Sequence, residues 1–134
     1  MKVVILAGGS GTRLSEYTKS IPKPMVKIGD KPILVHIMKL YAKYGFKEFI
    51  IALGYKGNLI KKYFKKKKFN WNIKLVDTGL NTMTGGRLKR LKNIIGNQRF
   101  LMTYGDGISN INLKKLLRFH IKNNKLVTLA AVRP

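Results

Sequence analysis

Val3, Val4, Ile5, Leu6 and Ala7 are apolar without a break, and the run stops at Gly8-Gly9-Ser10-Gly11. A strand with one wet face alternates apolar and polar residues. One with no polar position is covered on both faces, as in a parallel sheet flanked by helices. The pattern recurs. Phe49 to Leu53 reads as a second buried strand, Ile73 to Val76 as a third, Phe100 to Tyr104 as a fourth and Leu126 to Val132 as a fifth. Between the first two, Ile33, Leu34, Ile37, Met38, Tyr41 and Tyr44 recur at helical spacing. Asp30 can cap this helix, with Pro32 in its first turn and Gly45 at its end. Gly54-Tyr55-Lys56-Gly57 turns into a helix from about Asn58 to Phe64, and Leu88, Leu91 and Ile95 mark another. A last helix from about Asn112 to Asn123 carries Leu113, Leu116, Leu117, His120 and Ile121 on its apolar face. The alternation predicts an α/β fold: a mostly parallel sheet with helices on both faces, its loops sharing one edge.

The glycine-rich turn at the end of the first strand has the chemistry of a phosphate cradle. Gly8, Gly9 and Gly11 remove Cβ atoms where the backbone turns and approaches a ligand, and consecutive N–H groups are left to face anionic oxygens. Arg13 adds a planar, permanently charged fork. The loop is neither a P-loop, which ends in Gly-Lys-Ser/Thr, nor a dinucleotide fingerprint, which needs glycine where Leu14 stands. In Ile21-Pro22-Lys23-Pro24-Met25 two prolines stiffen the backbone around one lysine and so present it. Thr82-Met83-Thr84-Gly85-Gly86-Arg87 sets glycines and a cation beyond the third strand. Asp106 stands between Gly105 and Gly107 after the fourth strand, a short hard ligand suited to Mg²⁺. Asp77, followed by Thr78-Gly79, is equally good turn chemistry. Catalysis by such groups would be positioning and charge neutralisation around a triphosphate and a second phosphorylated partner, with no nucleophilic side chain required.

Composition narrows the partners. The chain has 134 residues, room for one domain with a real core, and no cysteine, which excludes disulfides and thiolate metal sites. Any metal must be a hard ion on oxygen ligands. The run Val3 to Ala7 is too short for a signal-peptide core, and no stretch reaches the ~20 apolar residues of a membrane span, so a cytoplasmic protein without a membrane partner is expected. The net charge of +23 by itself points to nucleic acid, but the cations are 22 lysines and only 6 arginines, and arginine leads base recognition. Lysine, asparagine and isoleucine share AT-rich codons, so the charge is read as solvated surface, Lys65 to Lys68 included, with non-specific polyanion affinity at low salt.

Gly8-Gly9-Ser10-Gly11-Thr12-Arg13-Leu14, Pro22-Lys23-Pro24 and Gly105-Asp106-Gly107, in this order, resemble the sugar nucleotidyltransferases. Within them, Leu75-Val76-Asp77-Thr78-Gly79 and Met83-Thr84-Gly85-Gly86-Arg87-Leu88-Lys89-Arg90 look like the glucose-1-phosphate cytidylyltransferases, as do Tyr41 to Gly57 and Thr103 to Gly107. The resemblance implies a Rossmann-like core that joins CTP to α-glucose 1-phosphate, giving CDP-glucose and pyrophosphate for deoxysugars of surface polysaccharide. It implies that Leu6, Ala7, Gly8, Gly9, Ser10, Gly11, Thr12, Arg13 and Lys23 contact the nucleotide, that Thr82 and Arg87 line the substrate site, and that Asp106 binds Mg²⁺. Arg13, Lys23 and Asp106 would carry catalysis. Two departures stand out: a shorter segment between Phe64 and Trp71, and a chain that stops at Pro134, where the family continues into a sugar-binding half. Residues 1–134 would then be the nucleotide-binding half. A truncated remnant that binds nucleotide without turnover is the alternative, and a basic nucleic-acid-binding module a more distant one. Open sheet edges would invite self-association, so a homo-oligomer stays open.

Overall fold

The structure is a computed structural model that describes residues 1–10 and 20–133. The elements run β1 (Lys2–Ala7), a 3₁₀ turn (Lys23–Met25), β2 (Lys27–Ile28), β3 (Lys31–Pro32), α1 (Ile33–Lys43), β4 (Glu48–Leu53), α2 (Gly57–Lys66), β5 (Asn72–Asp77), α3 (Thr84–Arg90), α4 (Lys92–Ile95), β6 (Leu101–Tyr104) and α5 (Leu113–Asn123). Four strands form one parallel sheet in the order β5-β4-β1-β6, and β2 and β3 form a small antiparallel hairpin.

Strand composition follows position in this sheet. The central β1 and β4 are buried from their second residue onward, which is why they read as unbroken apolar runs. The edge strands β5 and β6 alternate between exposed and half-buried residues along most of their length. From β1 the chain steps to β4 and then β5 in one direction, and it returns past both to place β6 on the far side of β1. A right-handed crossover that reverses direction must carry its helix on the opposite face. Accordingly α1, α2 and α5 pack Leu34, Ile37, Met38, Tyr41, Ile60 and Leu113 against Val3, Ile5, Phe49 and Ile51. On the other face, Leu91 and Ile95 cover Val4, Leu6, Ile50 and Ala52. Lys2 Nζ donates to Ile94 O at 2.7 Å and so places a cation on the carbonyl end of α4.

Three expectations are corrected. Asp30 does not cap α1: with Gly29 at φ +64° it forms the β2–β3 turn and pairs with Lys31, while Pro32 occupies the helix cap without a side-chain bond. Leu126 to Val132 is not a strand. Its residues have strand propensity but, among the described residues, no neighbour that completes a hydrogen-bond ladder, and Leu126 is fully exposed. The segment is tied to α5 through Thr128 Oγ1, 2.9 Å from His120 Nδ1. Of the apolar face of α5 only Leu113 is buried, with Leu116, Leu117 and His120 half-covered and Ile121 exposed.

Candidate functional site

Strand order reverses between β1 and β6, and the carboxyl ends of strands at such a switch point are the position at which open α/β sheets bind ligands. A cavity of about 480 Å³ lies there, between the β1 end, the proline-flanked lysine, the start of α3 and the β6 turn. Each wall has a local cause. Pro22 and Pro24 are buried and hold the 3₁₀ turn that carries Lys23. Gly105 sits under Pro24, where a Cβ would come within 3.0 Å of Pro24 Cγ, and its N–H bonds Leu6 O at 2.9 Å. This contact fixes the following Asp106, whose Oδ2 lies 2.5 Å from Lys23 Nζ, each side chain about one-third exposed.

The structure thus brings Leu6, Ala7, Gly8, Gly9, Lys23, Thr82, Arg87 and Asp106 around one cavity, and adds Pro24, Met83, Thr84, Tyr104 and Gly105. Ser10 is exposed and is not among the lining residues. Gly11, Thr12 and Arg13 lie outside the described residues. Asp77 stands apart, paired with Lys61 at 2.5 Å.

Arg87 occupies a place that the sequence did not indicate. Its residue surface is only 5% exposed, and the guanidinium faces no carboxylate among its bonded partners. Nη1 reaches Thr78 Oγ1 at 2.7 Å, Gly79 O at 2.8 Å and Leu53 O at 3.1 Å, while Nη2 donates to Gly8 O at 2.9 Å. One side chain therefore ties together the carboxyl ends of β1, β4 and β5. Burial, and after it the charge of Arg90, pulls the guanidinium below its ordinary pKa range. Gly8 and Gly54 make room for it: a Cβ on Gly8 would lie 2.2 Å from Nη1, and one on Gly54 2.7 Å from Nη1 and 2.6 Å from Gly8 O. Gly9 differs, because a Cβ there would meet nothing within 4 Å. The readable signal was a glycine at the ends of two adjacent strands, a vacancy some larger group must fill. Arg90 is a second strap, with Nη1 on Thr78 O and on Thr82 Oγ1 at 2.6 Å, packed over Gly79 at φ +88°.

Among the described residues no group of three or more His, Cys, Asp or Glu could enclose a metal. Among the described residues Asp106 is the single carboxylate at the cavity, and it suits a magnesium ion that keeps waters and shares phosphate oxygens, since such ions use one or two carboxylates plus substrate. Asp106 fits that role and no all-protein cage. No helix among the described residues is long and apolar enough to cross a membrane.

Fold and cavity define a doubly covered parallel α/β domain of the nucleotide-diphospho-sugar transferase type, open at its switch point. The family description "Nucleotidyl transferase" matches residues 2–134, and the chain belongs to that family. Glucose-1-phosphate cytidylyltransferase of Salmonella typhimurium is 48% identical over 157 aligned positions, which cover all of this chain and 61% of that protein. D-glycero-alpha-D-manno-heptose 1-phosphate guanylyltransferase of Campylobacter jejuni is 40% identical over 116 positions, 87% of this chain and 52% of that one. Among solved structures, HddC from Yersinia pseudotuberculosis complexed with GMP-PN superposes with a TM-score of 0.79 at 33% identity, covering 90% of this chain and 54% of that chain. The chain thus spans about three-fifths of the cytidylyltransferase's length.

Proposed function

We propose that the chain acts in transfer of a cytidylyl group from CTP to α-glucose 1-phosphate, giving CDP-glucose and pyrophosphate, in the cytoplasm, with residues 1–134 forming the nucleotide-binding part. The observation that carries this reading is the joining of Gly8-Gly9, the Lys23–Asp106 pair and the Thr82–Arg87 segment around one cavity at the switch point. The likeness to the Salmonella cytidylyltransferase supports the choice of CTP and glucose 1-phosphate.

The cavity residues account for such a reaction without a nucleophilic side chain. A sugar 1-phosphate is already largely dianionic at neutral pH, so its oxygen attacks the α-phosphorus of CTP without a general base. The new O–P bond forms as the bridging bond to the β-phosphate breaks, and pyrophosphate leaves with that electron pair. Two anionic reactants repel, and the chain's contribution is to hold and neutralise them. Lys23, on a backbone stiffened by its prolines, offers a point charge beside the phosphates, and Gly9, where a Cβ would meet nothing within 4 Å, leaves the backbone open to a ligand. Asp106 would hold a phosphate-bound magnesium ion, which supplies further neutralisation of the triphosphate. Lys23 and Asp106 pair with each other, and a magnesium-bound phosphate chain would offer the ammonium its oxygens and the carboxylate its metal ion.

Pyrophosphate release from CTP, glucose 1-phosphate and Mg²⁺, measured against UTP, dTTP and the Asp106→Asn variant, tests the proposal. Release that needs CTP and Asp106 is expected. CTP binding without release would make the chain a non-catalytic remnant, and absence of CTP binding would overturn the assignment of the cavity.

A further inference from the structure

We infer that the amino edge of the main sheet, the end opposite the cavity, is a docking surface for an anionic lipid bilayer. The strands of this sheet are parallel, so all of them begin at one edge. Three are entered through a cation and an aromatic ring adjacent in the chain: Phe46-Lys47 before β4, Lys68-Phe69 before β5 and Arg99-Phe100 before β6. In sequence these pairs are scattered. The parallel topology gathers them, and the N–H of Asn72, at the start of β5, donates to Lys47 O at 2.9 Å. Because α2 leaves the carboxyl end of β4 and the chain returns to the start of β5, Lys65, Lys66 and Lys67 are delivered to the same edge.

The charge there is nearly all of one sign. Lys47, Lys65 to Lys68 and Arg99 are exposed. Among the described residues the carboxylate at this edge is Glu48, whereas Asp77 and Asp106 stand at the carboxyl ends of β5 and β6 and Asp30 in the β2–β3 turn. Such a row of cations attracts any polyanion, and the rings decide which one it fits. Phe100 is exposed, and Phe46, Phe69 and Trp71 are half-buried. Phe69 stacks on Trp71 with centroids 5.0 Å apart, and Trp71 meets Phe49 at 5.5 Å, so these rings are engaged with one another and do not offer a free platform to a base. The cations before β4 and β5 are all lysines, point charges without the fork that reads bases. Duplex DNA would use the lysines and leave the rings idle. A bilayer interface uses both, ammonium groups at the headgroups and aromatic edges just beneath them. Docking of this kind needs no membrane-spanning helix, and it leaves the cavity facing away from the lipid and open to its ligands.

The test is co-sedimentation of the chain at about 0.1 M salt with vesicles of pure phosphatidylcholine and of equimolar phosphatidylcholine and phosphatidylglycerol. Affinity for the anionic vesicles should exceed that for the neutral ones at least about tenfold, and the double variant Lys67→Glu, Lys68→Glu should lose at least about tenfold of it. Both lysines are exposed, so the variant should keep its fold and its CTP binding. Trp71 is the one tryptophan of the chain, and its fluorescence should be quenched by anionic vesicles with brominated acyl chains and not by the same lipids without bromine. Equal binding to neutral and anionic vesicles, or a charge reversal at Lys67 and Lys68 without effect, overturns the inference. Tighter binding of duplex DNA at equal phosphate concentration, with Trp71 unquenched by the brominated vesicles, would assign the edge to nucleic acid and overturn it as well.

Discussion

Lys23 Nζ and Asp106 Oδ2 lie 2.5 Å apart across the mouth of the cavity, each on a turn immobilised by a proline or glycine contact with the other. Each side chain is about one-third exposed, so solvent screens the pair and its stabilisation is at most about 1 kcal/mol. A pair this weak and this well placed fits ligand binding better than folding. Asp106→Asn and Lys23→Ala should therefore leave the urea midpoint nearly unchanged while lowering affinity for Mg-CTP about tenfold or more, read by calorimetry. A large loss of stability with normal binding would assign the pair to the fold instead.

The glycines near the cavity divide into two kinds. A methyl on Gly54 would collide with backbone at Gly8 O and with Arg87, so Gly54→Ala should cost about 1–3 kcal/mol in denaturant unfolding. Gly9→Ala meets nothing and should stay within about 1 kcal/mol of wild type. Equal stabilities for the two variants would show that the strap relaxes freely.

That division explains what was and was not legible in the sequence. Val3 to Ala7 and Phe49 to Leu53 read correctly because strands covered on both faces leave no polar position. The loops gathered on one edge because parallel strands joined by helices must all end there. Lys23 and Asp106 could be named, since short rigid turns advertise the residue they present. Their contact could not, because it depends on the packing of Gly105 under Pro24. Gly8 was read as clearing space for a ligand, yet the group at its Cα is Arg87, a residue distant in sequence. Leu126 to Val132 failed as a strand for the same reason: strand formation is decided by a neighbour, and propensity carries no information about one.

Tyr41 gives a pH signature. It is 8% exposed on α1, and burial pushes its phenol above the ordinary value of 10.0, with a bond to Thr103 acting in the other direction. The folded chain then keeps this proton where the unfolded chain releases it. Stability from this group is complete below pH 10 and is lost as pH rises from there through the folded-state value. Lysine deprotonation acts over the same range, so the comparison must be internal. Wild type should lose stability above about pH 10 more steeply than Tyr41→Phe. Parallel curves would show that the phenol ionises alike in both states.

The +23 charge separates the nucleotide reading from a nucleic-acid one. Non-specific binding of a duplex by surface lysines releases condensed counterions, and its affinity falls steeply with salt, with a slope of about −0.9 per phosphate contacted. Lys65, Lys66, Lys67 and Lys68 are all exposed and suit that kind of contact. A nucleotide held in the cavity engages few phosphates through partly buried groups and should show a much shallower slope. Duplex DNA binding should also ignore Asp106→Asn and Lys23→Ala, whereas Mg-CTP binding should not. Fluorescence titrations of both ligands from about 50 to 200 mM salt, on wild type and both variants, make the comparison. A steep slope for CTP that the two substitutions leave unchanged would mean that the nucleotide is held by surface lysines, and the switch-point cavity would lose its assignment.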